Sequence, residues 1–183
     1  MTKLPDTMKA LVAYSADRYV LETAWPRPVA GPGEIIIKVE ACGVCAGDVK
    51  AKHGAERFWK DFIIAPVIPG HEFVGHVAGL GEGVTGFAIG DRVVSEQIVP
   101  CGKCRFCTTG KYWMCEVHDI YGFRDRVNGG MAEYMRLPAN ARTFRIPRDM
   151  PIEKAILIEP FGCSKHAVDR ADIGLEHIVV ISG

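Results

Sequence analysis

The sequence predicts a mainly β domain that carries a cysteine-rich lobe and gives way near its C-terminus to helix and one short strand. Three observations lead there. Glycine and proline are abundant, 20 and 11 among 183 residues, which favours short strands joined by tight turns over a helical bundle. Cys101, Cys104, Cys107 and Cys115 crowd into one loop. From Pro151 onward the β-branched, turn-punctuated pattern becomes helical.

Taken in order, Lys9–Tyr14 and Arg18–Trp25 read as strands joined by a short Ser-Ala-Asp turn, followed by a stiff loop through Pro26, Pro28 and Pro32. Glu34–Ala41 is a strand by its β-branched content. Cys42-Gly-Val-Cys45-Ala-Gly-Asp48 is a turn, and Asp48 is placed to cap a short helix ending near His53. Residues 54–69 read mostly as loop. Phe73–Leu80, Arg92–Val99, Met131–Leu137 and Arg142–Ile146 read as strands. Pro151–Ile158 and Cys163–Ala171 read as helices, and His177–Ile181 as a last strand. The domain division expected is 1–159 and 160–183.

Composition narrows the function. A hydrophobic content of 48% and a charged content of 24% fit a soluble globular chain. Lys plus Arg equals Asp plus Glu, 22 each, so nothing points to nucleic acid or an anionic membrane as partner. Met1–Met8 has no apolar signal-peptide core, and no apolar run approaches the length of a membrane span. Seven cysteines without an export signal suggest the cytoplasm, where thiols bind metal. Cys42 and Cys163 read as small buried residues.

The cysteines Cys101-x2-Cys104-x2-Cys107-x7-Cys115 can converge tetrahedrally on one Zn²⁺, leaving no position for water, so such a site would brace a loop. A disulfide pair and an iron–sulfur cluster compete with this. The first lacks a secretory context. The second expects its fourth cysteine after three residues and before proline, whereas Cys115 precedes Glu116. A second constellation is possible: Cys45, His71-Glu72 and Glu159 carry thiolate, imidazole and carboxylate, all zinc ligands. Each also has an ordinary reading, as a solvated polar group or a core-filling thiol.

A resemblance joins them. Gly70-His-Glu72-Phe-Val-Gly75-(five residues)-Gly81-Glu-Gly-Val84 resembles the zinc-alcohol-dehydrogenase signature. Val84–Val93, Cys42–Cys45, the cysteine lobe and Gly130–Tyr134 are also similar to that family. The chain is identified as similar to the zinc-dependent medium-chain dehydrogenases over roughly residues 8–183. The resemblance implies a GroES-like catalytic domain with a structural-zinc lobe, followed by the start of an α/β Rossmann domain. It implies catalytic zinc on Cys45 and His71, with Glu72 and Glu159 as ligands or holders of the fourth ligand. Asp48 resembles the carboxylate that orients the ligand histidine. It further implies NAD(P), with Gly183 the first glycine of the pyrophosphate turn, and a homodimer or homotetramer.

Two positions depart from the family pattern. Gly47 stands where a hydroxyl residue is usual, and Lys50 where a relay histidine is usual. His53, or a water held by Glu72 or Glu159, is the expected substitute. Val94–Cys101, Tyr112–Cys115 and His118–Phe123 resemble dehydrogenases of small polyols of the erythritol and L-threitol type. The alternatives are a threonine- or sorbitol-type dehydrogenase, and a zinc-ribbon module that uses the cysteine lobe alone.

Overall fold

The computed structural model describes residues 4–182. Gly183, expected to open a nucleotide-binding turn, lies outside the described residues. The strands are β1 (Thr7–Ala13), β2 (Tyr19–Pro26), β3 (Ile35–Cys42), β4 (Phe73–Leu80), β5 (Arg92–Ser95), β6 (Ile98–Val99), β7 (Asp119–Ile120), β8 (Tyr134–Leu137) and β9 (Thr143–Arg145). The helices are α1 (Ala46–Lys52), α2 (Arg105–Thr108), α3 (Ile152–Ala155) and α4 (Ile158–Ala171). A five-stranded antiparallel sheet of order β8-β3-β4-β5-β9 forms the centre, with β1–β2 and β6–β7 as separate hairpin-like pairs.

The run Ile35-Ile36-Ile37 explains the centre. A strand alternates its side chains between faces, so three consecutive buried isoleucines need cover on both. Ile35 and Ile37 pack with Phe73, Val77, Tyr121 and Leu137, whereas Ile36 turns to Met8, Val12 and Ile68 beneath β1. The β1 strand is stitched on by Leu11 N–H to Met131 O at 2.9 Å and by paired bonds between Ala13 and Val67. A third cluster, Val74, Val94 and Ala155, seats α3 against the sheet.

One ion pair crosses this architecture. Arg92 is 3% exposed and grips Glu40 of β3 through two bonds, Nε–Oε2 at 2.8 Å and Nη2–Oε1 at 2.9 Å. Its Nη1 donates to the carbonyls of Arg148 and Met150. Sheet and C-terminal segment are thereby tied through one guanidinium.

Several expectations are corrected. The strand expected over Arg92–Val99 breaks at Glu96–Gln97, because β5 pairs with β4 and β9 whereas β6 pairs with β7. The loop expected over 54–69 contains a π-helical turn, Phe58–Phe62. Asp48 does not cap α1 from outside: Cys45 is the N-cap, and Asp48, three residues on, accepts from the Cys45 N–H at 2.9 Å. The first C-terminal helix is shorter than expected, with Pro151 as its N-cap. The second starts earlier, so Glu159 stands in its first turn and the expected boundary at 159/160 falls inside α4. Residues 177–181 form no strand, since no described strand pairs with them; Ile178 and Ile181 are exposed. Cys163 is exposed, not buried, because no residue of α4 is buried.

Replacing Arg92 with Leu should cost about 2–3 kcal/mol. That is below the usual penalty for breaking a buried pair, because Glu40 retains some solvent. A urea midpoint unchanged from the parent would contradict this role, and Arg92→Lys should fall between the two.

Candidate metal centres

The cysteine lobe is assembled locally. Gly102 and Gly110 turn the chain at φ +75° and +78°, Cys104 begins α2, and a 3₁₀ turn over Tyr112–Met114 delivers Cys115. The four sulfurs lie within 4.8 Å of one another. Cys101 Sγ and Cys107 Sγ are 4.0 Å apart, about twice a disulfide bond and close to the edge of about 3.8 Å of a tetrahedron with zinc–sulfur bonds of about 2.3 Å. Backbone N–H groups point inward, from Cys101 to Cys115 Sγ at 3.3 Å and from Cys104 to Cys101 Sγ at 3.4 Å. N–H groups of Glu116 and Cys107 hold the Cys104 thiol down at about 6, whereas burial pushes Cys107 up to about 12. Four sulfurs this close suit a divalent cation.

The second centre is assembled from distant turns. Gly70, at φ +96°, precedes His71, and its backbone is clamped by its neighbours. Gly130 N–H donates to Gly70 O at 2.9 Å, and Met131 N–H donates to Pro69 O at 3.0 Å. A Cβ on Gly129 would overlap the Gly70 carbonyl, and one on Gly122 would stand 2.7 Å from Gly70 N. Gly43 N–H donates to Glu72 O at 2.6 Å, which ties the Cys45 turn to the His71 turn.

Donor atoms of Cys45, His71 and Glu72 consequently lie within 4.8 Å of one another. His71 is 4% exposed, and its Nδ1 has no hydrogen-bond partner; Asp48 Oδ1 stands 3.8 Å from it. Asp48 is itself fixed by the Cys45 N–H, so it is the group that would orient the ring. Glu159 is not part of the three-residue donor group. Burial and then the Glu72 charge raise its carboxyl to about 7. The Cys45 thiol is also raised, by burial first and then by Glu72 and Asp48. A thiol, an imidazole and a carboxylate this close suit a cation. An imidazole, a thiolate and a carboxylate are a zinc donor set with fewer than four members.

Three further observations shape the centre. Phe123 lies 5.5 Å from the His71 ring and 5.9 Å from Phe58, forming an apolar side wall. Lys50 and His53 are exposed, and neither belongs to the donor group. A cavity of about 460 Å³ lies between α4, the β5–β6 turn and the 3₁₀ turn of the lobe, lined in part by Gln97, Trp113, Glu159 and Cys163. Of the expected second-centre ligands, only Glu159 lines it. The sequence reading assigned no role at the centre to Phe58 or Phe123 and none on the cavity wall to Gln97. The aromatic richness of 54–69 was the available signal for Phe58.

The chain should bind about two zinc ions when both centres fill. Cys45→Ser should lower this to about one with the fold intact, whereas Cys104→Ser should damage stability first. Gly129→Ala should also cost the second ion, by displacing the backbone ahead of His71. Metal analysis beside circular dichroism reads all three, and full zinc content in Cys45→Ser would exclude that thiol as a ligand.

Residues 31–148 match the family described as the alcohol dehydrogenase GroES-like domain. The erythritol/L-threitol dehydrogenase of Mycolicibacterium smegmatis is 47% identical over 189 residues, covering 99% of this chain and 52% of its own length. The L-threonine 3-dehydrogenase of Xanthomonas axonopodis pv. citri is 37% identical over 174 residues, covering 94% and 50%. The acetophenone reductase of Geotrichum candidum, solved in complex with NAD, matches with a TM-score of 0.78 at 30% identity, over 94% of this chain and 50% of its own. The chain thus spans about half the length of the curated relatives it matches, 52% and 50%. It belongs to the alcohol dehydrogenase GroES-like domain family.

Proposed function

We propose that this chain is the zinc-binding catalytic domain of an NAD(P)-linked dehydrogenase that oxidises a secondary alcohol of a small polyol to a ketose. The observation that carries the reading is the convergence of Cys45, His71 and Glu72 donors to within 4.8 Å, on turns far apart in sequence. Similarity to an erythritol/L-threitol dehydrogenase at 47% identity supports the polyol class. A second reading, a threonine-type dehydrogenase, is favoured by the 37% identity to L-threonine 3-dehydrogenase. The reading as a zinc-ribbon module does not account for the second donor group.

Zinc, when bound, supplies Lewis-acid polarisation that lowers the pKa of a hydroxyl, and nicotinamide supplies the hydride acceptor. This chain's residues do the rest. Cys45, His71 and Glu72 would hold the ion, and Asp48 would keep the His71 ring in register. Phe58 and Phe123 exclude water from one side. Gly47 has no hydroxyl to pass a proton, and Lys50 is exposed. Glu159, held near 7 by burial, is the carboxyl suited to take the substrate proton at neutral pH. It would also accept a hydrogen bond from the second hydroxyl of a vicinal diol. Among the described residues no glycine-rich turn opens a helix for a pyrophosphate.

The test is an oxidation panel of erythritol, L-threitol, L-threonine and ethanol with both nicotinamide cofactors, run on the full-length polypeptide. The tetritols should exceed ethanol in kcat/KM, and Glu159→Gln should lower tetritol turnover about 100-fold. A preference for threonine would establish the second reading; no oxidation of any secondary alcohol would defeat both. The 183-residue chain alone should show no micromolar binding of NADH by calorimetry.

A further inference from the structure

Glu159 is held by a contact that the reaction does not require. It sits in the first turn of α4, one helical turn before Cys163, so the two share a helix face. The Cys163 thiol donates to Glu159 Oε1 at 3.6 Å. From a different element, the β5–β6 turn, Gln97 Nε2 donates to Cys163 Sγ at 3.7 Å. Gln97, Cys163 and Glu159 all line the cavity of about 460 Å³. The Glu159 carboxylate stands outside the Cys45–His71–Glu72 donor group. A flexible carboxylate within electrostatic reach of Glu72 would otherwise be free to join the donors, closing the position that substrate would use.

We propose that Cys163, itself held by Gln97, is a positioning residue that keeps the Glu159 carboxylate on the cavity wall and out of the metal's ligand set. The proposal rests on the reading of Cys45, His71 and Glu72 as the donors of an open centre. Its consequence is that an exposed cysteine outside the ligand set controls how open that centre is. Gln97 gives the device its reach: the side chain bridges from the sheet to α4, so the contact depends on the helix being docked where it is.

The experiment uses this chain loaded with zinc and challenged with a chromophoric chelator, following metal release over time. Release should occur in two phases, and Cys45→Ser should abolish the one that belongs to the open centre. Cys163→Ala frees Glu159 to add a donor, so that phase should slow about tenfold, within the range by which outer groups tune metal affinity. Cys163→Ser keeps a donor at the same place and should restore the parent rate. Adding Glu159→Gln to Cys163→Ala should do the same. A merely structural role would speed release, and Glu159→Gln would not reverse it. The proposal is overturned if Cys163→Ala leaves the phase unchanged or accelerates it while Cys45→Ser still removes it. If Cys45→Ser leaves both phases intact, the open centre itself is refuted, and the proposal with it.

Discussion

The candidate second metal centre depends on a place where main chain touches main chain. Pro69 and Gly70 run against Gly129 to Met131 so closely that no side chain fits between them, and Gly70 itself stands at φ +96°. The residue that emerges from this contact is His71. Through the Gly43 N–H to Glu72 O bond, the same contact reaches the turn that carries Cys45. The second centre therefore takes its geometry from backbone hydrogen bonds and glycine packing. The cysteine lobe works otherwise. Its four donors lie on one short stretch of chain, and turns at Gly102 and Gly110 are enough to gather them.

Charge tells a parallel story. The protein answers one partly buried carboxylate internally: Glu40 meets Arg92, and His76 Nε2 stands 3.1 Å from Glu40 Oε2. Around Cys45 there is no such answer from within. Burial and then the Glu72 charge raise the Glu159 carboxyl, and burial, then Glu72 and Asp48, raise the Cys45 thiol. Burying like charges together without a counterion is unfavourable. Such a group, beside a buried imidazole nitrogen without a hydrogen-bond partner among the described residues, is one that could hold a cation.

This contrast explains what could be read from the sequence. The cysteine lobe was legible because its ligands are close in sequence, so spacing alone constrains their geometry. The buried β3 core was legible in three successive isoleucines. Cys45 and His71 were each visible as residue types, but their meeting depends on glycine contacts that no single-sequence pattern records; the family resemblance supplied it. The break between β5 and β6 was not legible, because β-branched content reports strand tendency and not which sheet a strand joins. The apolar run at 177–181 failed for the related reason that a strand needs a partner. Cys163 was misread because a small thiol looks like core wherever burial is judged by residue type.

The departures at Gly47 and Lys50 bear on how the centre is organised, and sterics do not account for the first. A Cβ at Gly47 would meet Cys45 Sγ and the Phe58 ring at 3.7 Å each, which is ordinary contact. A hydroxyl residue would therefore fit, and the helix that bears it would tolerate it. What differs is the surroundings: Phe58 of the π-helical turn and Phe123 beyond β7 set aromatic rings beside the centre, and the side chains of Lys50 and His53 are exposed. The ionisable group beside the donors comes instead from the opposite element, as Glu159 on α4, next to a cavity large enough for a small polar molecule. A simple alcohol needs only the metal and an apolar wall. On the polyol reading proposed above, a polar group would also have to meet the second hydroxyl, and Glu159 would then serve both that contact and the proton. Combining both tasks in one residue would make the position of Glu159 more consequential than any residue on α1 other than Asp48.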